Sequence, residues 1–574
     1  MTALDQENAE GLSTTAAGHP VPTASERARD RLAGSDPRVG WAAAIGVAVF
    51  ALLLRVYRLG SPNVIAFDET YYAKDAWSLL HFGYVKEYLK DADGNPKTDI
   101  NADIVDGHTT GVWDSDPSMI VHPEVGKWLI ALGEKAFGMD AFGWRIASAV
   151  VGALMVLVMV RLARRLTGST ALGCVAGLLL SLDGLHFVLS RLALLDIFLA
   201  FFLLCGVACV VNDRDWHRAR LASLVDGPVA PGGWGPVRGA LFRPWLLLGG
   251  LSFGLALGTK WTAIYPLAAF GVLVFLWSGG ARKAFGVRWP RLRAVLADGV
   301  PAFVQLVLVA GFVYVATWTG WLVHADDYEK AYSQSQYARF VEEGKTCDDE
   351  AVLDDSQWPT AKQPDATGPA ELVQSLRSLW YYHQDVYTFH THFLNCSDHH
   401  YESKPSGWLF INRPVGVAVD TEIQPDEPGC DAPADSVCYR QVLLIGTPVI
   451  WWGGAVALLF AGAMWVGTRD WRYGVILVGT LSTWVPWLWY DDRPIFFFYA
   501  IATLPFLVLA ITLAMGTLIG PSRHPSTRRT IGVVVAGSFF VLALLNFAWF
   551  YPILSNEILT RGEWFDRIWF SRWV

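Results

Sequence analysis

The sequence predicts an all-α, polytopic membrane protein. Apolar runs near the ~20 residues needed to cross a bilayer recur along the whole chain. Only 17% of the 574 residues are charged and 53% are hydrophobic, with 27 Trp. A soluble chain of this size carries more charge. The formal net charge of −8 excludes little by itself, because what matters is how charges divide between the two membrane faces.

Residues 1–39 are polar, rich in Ala, Ser, Thr and Glu, with no apolar run before Trp41. They read as a disordered cytoplasmic tail, not a signal peptide. The expected spans are 40–58, 142–163, 169–188, 191–211, 243–261, 262–278, 296–322, 442–466, 471–490, 494–516 and 530–550. These make about eleven transmembrane helices, an odd number that puts the termini on opposite sides. With the N-terminus cytoplasmic, every inside loop is basic: Arg161, Arg164 and Arg165, then Arg214 to Arg238, Arg282 to Arg293, Arg469 and Arg472, and Arg523 to Arg529. The long loops 59–141 and 323–441 then lie outside and are rich in Asp and Glu. The expected organisation is a tail (1–39), a membrane block (40–322) carrying loop 59–141, an extracytoplasmic loop domain (323–441), a second membrane block (442–550) and an extracytoplasmic C-terminal tail (551–574). The expected location is the plasma membrane. Cys174, Cys205 and Cys209 fall in spans, whereas Cys347, Cys396, Cys430 and Cys438 share the second outside loop. On the oxidising side these four suggest two disulfides, with Cys430–Cys438 the favoured local pair and the connectivity open.

The outer face concentrates ionisable residues. Phe67-Asp68-Glu69-Thr70-Tyr71-Tyr72 follows the first span, and adjacent carboxylates near hydrocarbon are costly unless they are partnered or functional. Asp68 could simply cap a helix, with Glu69 favoured by the dipole. Val121-His122-Pro123-Glu124-Val125-Gly126-Lys127-Trp128 predicts a helix from near Pro123 lying in the membrane interface, which His122 could merely cap. Arg145 opens the second span, where a snorkelling Arg is ordinary. Arg191 and Asp196 suggest a structural ion pair. Lys260, in the turn between the fifth and sixth spans, runs against the positive-inside bias, and Arg493 lies between the ninth and tenth. Cations at membrane-surface depth suit a lipid-anchored phosphate. A nearby carboxylate could deprotonate an attacking hydroxyl, and the cations would stabilise the departing phosphate. A nucleotide-sugar donor is disfavoured, since no Gly-rich phosphate loop appears in the inside segments.

These motifs resemble the protein O-mannosyltransferases of the GT-C glycosyltransferase superfamily, in their actinobacterial branch. The resemblance rests on Phe67 to Ala73, His122 to Trp128, Trp144-Arg145-Ile146, Ser190 to Asp196 and Gly258-Thr259-Lys260-Trp261-Thr262, in that order. It implies a GT-C fold with interfacial helices in the first outside loop and a larger outside loop domain. It also implies inverting transfer of mannose from polyprenyl-phosphate mannose to Ser or Thr of secretory proteins. Carried over, Asp68 is the candidate base, and Glu69 beside it would position the acceptor peptide or sugar, or share the catalytic role. Arg145 matches a family arginine near the donor phosphate, with Lys260 and Arg493 further phosphate candidates on charge and topology. His122, Glu124, Lys127 and Trp261 would shape the site.

Glu124 stands where the eukaryotic pattern has a second Pro, and loop 323–441 does not look like the eukaryotic β-trefoil. Its histidines, His383, His390, His392, His399 and His400, fit no closed tetrahedral site and read as packed or exposed loop residues. No cofactor is firmly implied; a divalent metal is conceivable but not indicated. The expected partners are the lipid-linked donor, protein acceptors, membrane lipids and, given the placement, the secretion channel, with no nucleic acid. Two other readings compete: a lipid-phosphate-sugar transferase acting on a glycolipid or cell-wall glycan, and a transporter or flippase. The latter sits badly with ionisable groups gathered at one surface and no inverted repeat.

Overall fold

The computed structural model describes residues 37–91, 99–224, 233–334, 357–520 and 526–574. The expected N-terminal tail and Cys347 therefore lie outside the described residues, apart from positions 37–39, which already belong to the first helix. The helices used below are α1 (Pro37–Val56), α2 (Glu69–Phe82), α3 (Val125–Phe137), α4 (Ala141–Thr167), α5 (Thr170–Ser181), α6 (Asp196–Ser223) and α7 (Pro244–Leu257). They continue with α8 (Ile264–Ala284), α9 (Pro290–Ala316), α10 (Pro369–Thr391), α11 (Pro448–Thr468), α12 (Trp471–Trp484), α13 (Leu504–Ile519) and α14 (Thr527–Leu554).

Among the described residues seven helices are long and apolar enough to cross a bilayer: α1, α4, α6, α8 with the turn before it, α9, α11 and α14. Helices α5, α7 and α13 are apolar but shorter. Helix α12, with 14 residues, stands at the remaining expected span, beside the seven long and three shorter apolar helices found among the described residues. The third expected span breaks at Asp183, whose carboxylate accepts from His186 N at 3.1 Å, Thr447 N at 3.0 Å and Trp451 Nε1 at 2.9 Å. A buried carboxylate takes N–H donors where it finds them, and here it caps a new short helix, Gly184–Leu189.

The first long loop folds onto the membrane block. Helix α2 packs on α3, and α3 on α4. A Cβ at Gly133 of α3 would run into the Gly143 carbonyl of α4, so glycine permits this close approach. Trp128, Leu132 and Phe137 stay exposed on α3, as an interfacial helix requires.

Two small sheets accompany the helices. β1 (Lys86–Tyr88) pairs antiparallel with β2 (Trp113–Pro117) in the first loop. β3 (Val415–Ile423), β4 (Cys438–Leu444) and β5 (Ile558–Thr560) form an antiparallel sheet in that order, with Val415 opposite Leu444 and Cys438 opposite Thr560. The apolar end of β4 reads in sequence as the start of a span, but the helix begins only at Pro448, where proline's fixed φ favours a first turn. Residues 551–574 are likewise no loose tail. They supply β5, and Trp573 is buried with its indole N–H donating to Ile411 O at 2.7 Å. Cys430 and Cys438 are disulfide-bonded to each other, Cys396 is disulfide-bonded, and Cys174, Cys205 and Cys209 are free.

Candidate active site

The site begins at a strained turn. Phe67 adopts φ 51°, a left-handed conformation that costs a non-glycine residue roughly 1–2 kcal/mol. Its ring is held edge-on to Phe496 at 5.7 Å and Phe498 at 5.9 Å. The next residue, Asp68, occupies the N-cap position of α2, yet its side chain makes no capping hydrogen bond. The bland reading of Asp68 as a helix cap therefore fails. Among the described residues its carboxylate has no hydrogen-bond or ion-pair partner. Burial raises its pKa to about 6, against the pull of Lys260 and with a further push from Asp196.

Glu69 points the other way and is closed off. Its carboxylate takes Arg145 Nε and Nη2, both at 2.8 Å, together with Ala66 N and Ala193 N, both at 2.9 Å. Arg145 also donates to Pro62 O at 2.7 Å and Val64 O at 2.9 Å, and both side chains are fully buried. Glu69 and Arg145, expected at the acceptor and at the donor phosphate, are here engaged with one another. Each is the other's buried counterion, and together they fix the segment that presents Asp68.

The expected Arg191–Asp196 pair does not form. Arg191 donates to the carbonyls of Arg55, Tyr57 and Arg58 at 2.7, 2.6 and 2.9 Å, where a cation complements the C-terminal end of α1. Asp196 instead receives Lys260 Nζ at 3.0 and 2.9 Å. Lys260 also lies 4.8 Å over the Tyr499 ring.

Lys260 opens onto a cavity of about 1370 Å³. Its head is polar, lined by His122, Trp261, Tyr265, Tyr490, Arg493 and Tyr499. Its body runs between α8 and α9, walled by side chains such as Leu267, Phe275, Phe303 and Leu306. Asp68 lies outside this lining but close enough for Lys260 to act on its charge. Burial, then the cations Lys260, Lys127 and Arg493 along with His390, depresses His122 far below the usual imidazole range. Glu124 and Lys127 do not line the cavity. Lys127 is paired with Asp75 at 2.9 Å, and Glu124 is fully buried, with Lys127 and the Trp128 side chain as its nearest favourable neighbours. Burial raises its pKa to about 7.

The geometry is that of a long amphipathic ligand's site, with a cationic head, an apolar trough and an unpartnered carboxylate beside the head. Family models match two stretches. One describes dolichyl-phosphate-mannose-protein mannosyltransferase, over residues 113–226; the other describes the C-terminal four-transmembrane region of protein O-mannosyltransferase, over residues 375–573. A polyprenol-phosphate-mannose–protein mannosyltransferase of Mycolicibacterium smegmatis is 36% identical over 94% of both chains. The chain belongs to the protein O-mannosyltransferase family. A relative of the same description from Mycobacterium tuberculosis is 34% identical over 100% of this chain and 98% of its own. Among solved structures, the S. cerevisiae protein O-mannosyltransferase Pmt1–Pmt2 complex bound to the sugar donor aligns with TM-score 0.65 at 14% identity, covering 96% of this chain and 94% of that one. That likeness shows a shared fold over nearly the whole chain.

Sequence reasoning missed the contribution of α10 to this family member's site. His383 and His390, read as loop histidines, both line the cavity. They stand seven residues apart, two turns of helix. That spacing was the available signal.

Proposed function

We propose that this chain transfers mannose from polyprenyl-phosphate mannose to Ser or Thr hydroxyls of exported proteins, with Asp68 as the general base. The observation that carries the assignment of the base is the unpartnered Asp68 carboxylate, raised to about 6 and set beside Lys260. A base with a pKa near the working pH is both ionised and basic enough to accept a proton in the transition state. The donor's prenyl chain lies in the apolar trough between α8 and α9, and its phosphate is held by Lys260 and Arg493. The acceptor hydroxyl gives its proton to Asp68 as its oxygen bonds to the anomeric carbon. The bond from that carbon to the phosphate oxygen breaks on the opposite face, and its electron pair leaves with the phosphate. The two cations stabilise that charge in a site of low polarity. One displacement inverts the anomeric centre, so no covalent sugar–enzyme intermediate is needed.

The face with the two long loops is extracytoplasmic in this reading and the N-terminus cytoplasmic, because the basic loops lie at the other end of the helices. Acceptors are then met as they leave the secretion channel, which makes that channel the natural neighbour. The test is direct transfer: purified protein in lipid nanodiscs, polyprenyl-phosphate mannose and a Thr- and Pro-rich peptide. Addition of one hexose to the peptide is the expected result. Donor consumption only in the presence of a glycolipid or glycan extract would overturn the protein acceptor.

A further inference from the structure

Helix α10 comes from the second long loop, yet it closes the polar head of the cavity and is tied to both walls of the trough. His383 Nδ1 faces Leu379 O at 2.7 Å, so this nitrogen donates and Nε2 accepts. Its Nε2 meets the Tyr314 hydroxyl of α9, which in turn accepts from Trp261 Nε1 at 2.7 Å. Trp261, next to Lys260 and just ahead of α8, stacks on the His383 ring at 5.4 Å.

One helical heptad further on, His390 Nε2 lies 3.1 Å from Val121 O. That carbonyl can only accept, so Nε2 carries the proton and Nδ1 presents a lone pair. The lone pair takes Arg493 Nη1 at 3.0 Å, and the His390 carbonyl takes the same nitrogen at 3.1 Å. One residue thus engages Nη1 through two acceptors. The opposite edge of the guanidinium, Nε with Nη2, is uncommitted among the described residues, and its Nε is buried without a partner. That edge is the fork that matches two phosphate oxygens. In Arg145 the same edge is filled by Glu69. The His390 ring is itself fixed, stacked on His122 at 5.4 Å and edge-on to Trp261 at 6.1 Å. Burial and then Arg493 lower its pKa to about 4, which keeps the lone pair available at physiological pH.

We infer that His390 is a positioning residue: by engaging Nη1 it aims the Nε–Nη2 edge of Arg493 at the donor phosphate, so the phosphate site is complete only when α10 is docked. This rests on the reading of Arg493 as a phosphate ligand.

The test is a double-mutant cycle on the full chain in nanodiscs, with polyprenyl-phosphate mannose and a Thr-containing peptide. Arg493→Ala and His390→Ala should each raise the donor KM about tenfold or more and lower kcat as well, because the departing phosphate loses charge stabilisation, with peptide KM much less affected. The double variant should be no worse than Arg493→Ala, and His390→Gln, which keeps an acceptor, should recover part of the loss. His390→Phe keeps the stacking on His122 but offers no side-chain acceptor. It should match Ala, and it carries the test should the Ala variant not fold. A normal donor KM in His390→Phe, or a further multiplication of donor KM in the double variant, overturns the inference while leaving Arg493 as a phosphate ligand. An unchanged donor KM in Arg493→Ala overturns both.

Discussion

Replacing Arg145 with Met separates a structural arginine from a phosphate ligand. Glu69 holds four N–H groups, two from Arg145 and one each from Ala66 and Ala193. Arg145→Met leaves the carboxylate fully buried with only the two backbone donors, and strands the Pro62 and Val64 carbonyls that Arg145 had satisfied. Removing one partner of a buried ion pair costs about 3–5 kcal/mol. At about 1.4 kcal/mol per factor of ten, the folded-to-unfolded ratio falls a hundredfold or more. The double replacement Arg145→Met with Glu69→Gln removes both charges and should recover part of this loss, because no uncompensated ion remains. Thermal unfolding in detergent reads the stability, and donor saturation kinetics read the site. An Arg145→Met protein as stable as wild type, with only a raised donor KM, would refute the reasoning and restore Arg145 to the phosphate.

Other consequences follow from the same geometry. Asp68→Asn should lower kcat by about 10²–10⁴-fold without loss of stability. The folded-state pKa is raised, so ionised Asp68 is a cost at pH 7 that Asn removes; a destabilised Asp68→Asn protein would contradict this. In wild type, kcat/KM for transfer should fall as pH drops below about 6 and Asp68 is protonated, and a profile flat from pH 7 to pH 5 would count against Asp68 as the base. Glu124, whose burial outweighs the pull of Lys127 and Trp128 and raises it to about 7, should make stability fall as pH climbs from about 4.5 towards 7, where only the unfolded chain ionises. Glu124→Gln should remove that part of the slope, as read by unfolding temperature across pH. Lys260→Met should both destabilise the fold, by stranding Asp196, and raise the donor KM; a change in neither would remove Lys260 from the site.

What sequence could and could not say divides along physical lines. Helices were legible because apolar runs near spanning length have few alternatives. Strand β4 was not, since Val442, Leu443 and Leu444 are as apolar as the span that follows and periodicity cannot part them. Residue types in the site were legible too, but not their partners. Arg145, Lys260, Arg191 and Asp196 all looked like available charges or neighbours in sequence. Only the packing shows that Arg145 is consumed by Glu69, and that Asp196 takes Lys260 while Arg191 closes a helix end. Burial demands that each charge find a partner, but which one is a three-dimensional fact. The spacing of His383 and His390 was legible, but the partner of His390 was not, because Arg493 lies 103 residues away.

The most direct test of the central claim is a single-turnover comparison of wild type and Asp68→Asn with saturating polyprenyl-phosphate mannose and a Thr-containing peptide, donor binding being measured in parallel. The account predicts unchanged donor affinity, an intact fold and loss of mannosyl transfer in the Asn protein. Transfer by Asp68→Asn at a rate near wild type would contradict it, and the base would have to be sought elsewhere at the head of the cavity.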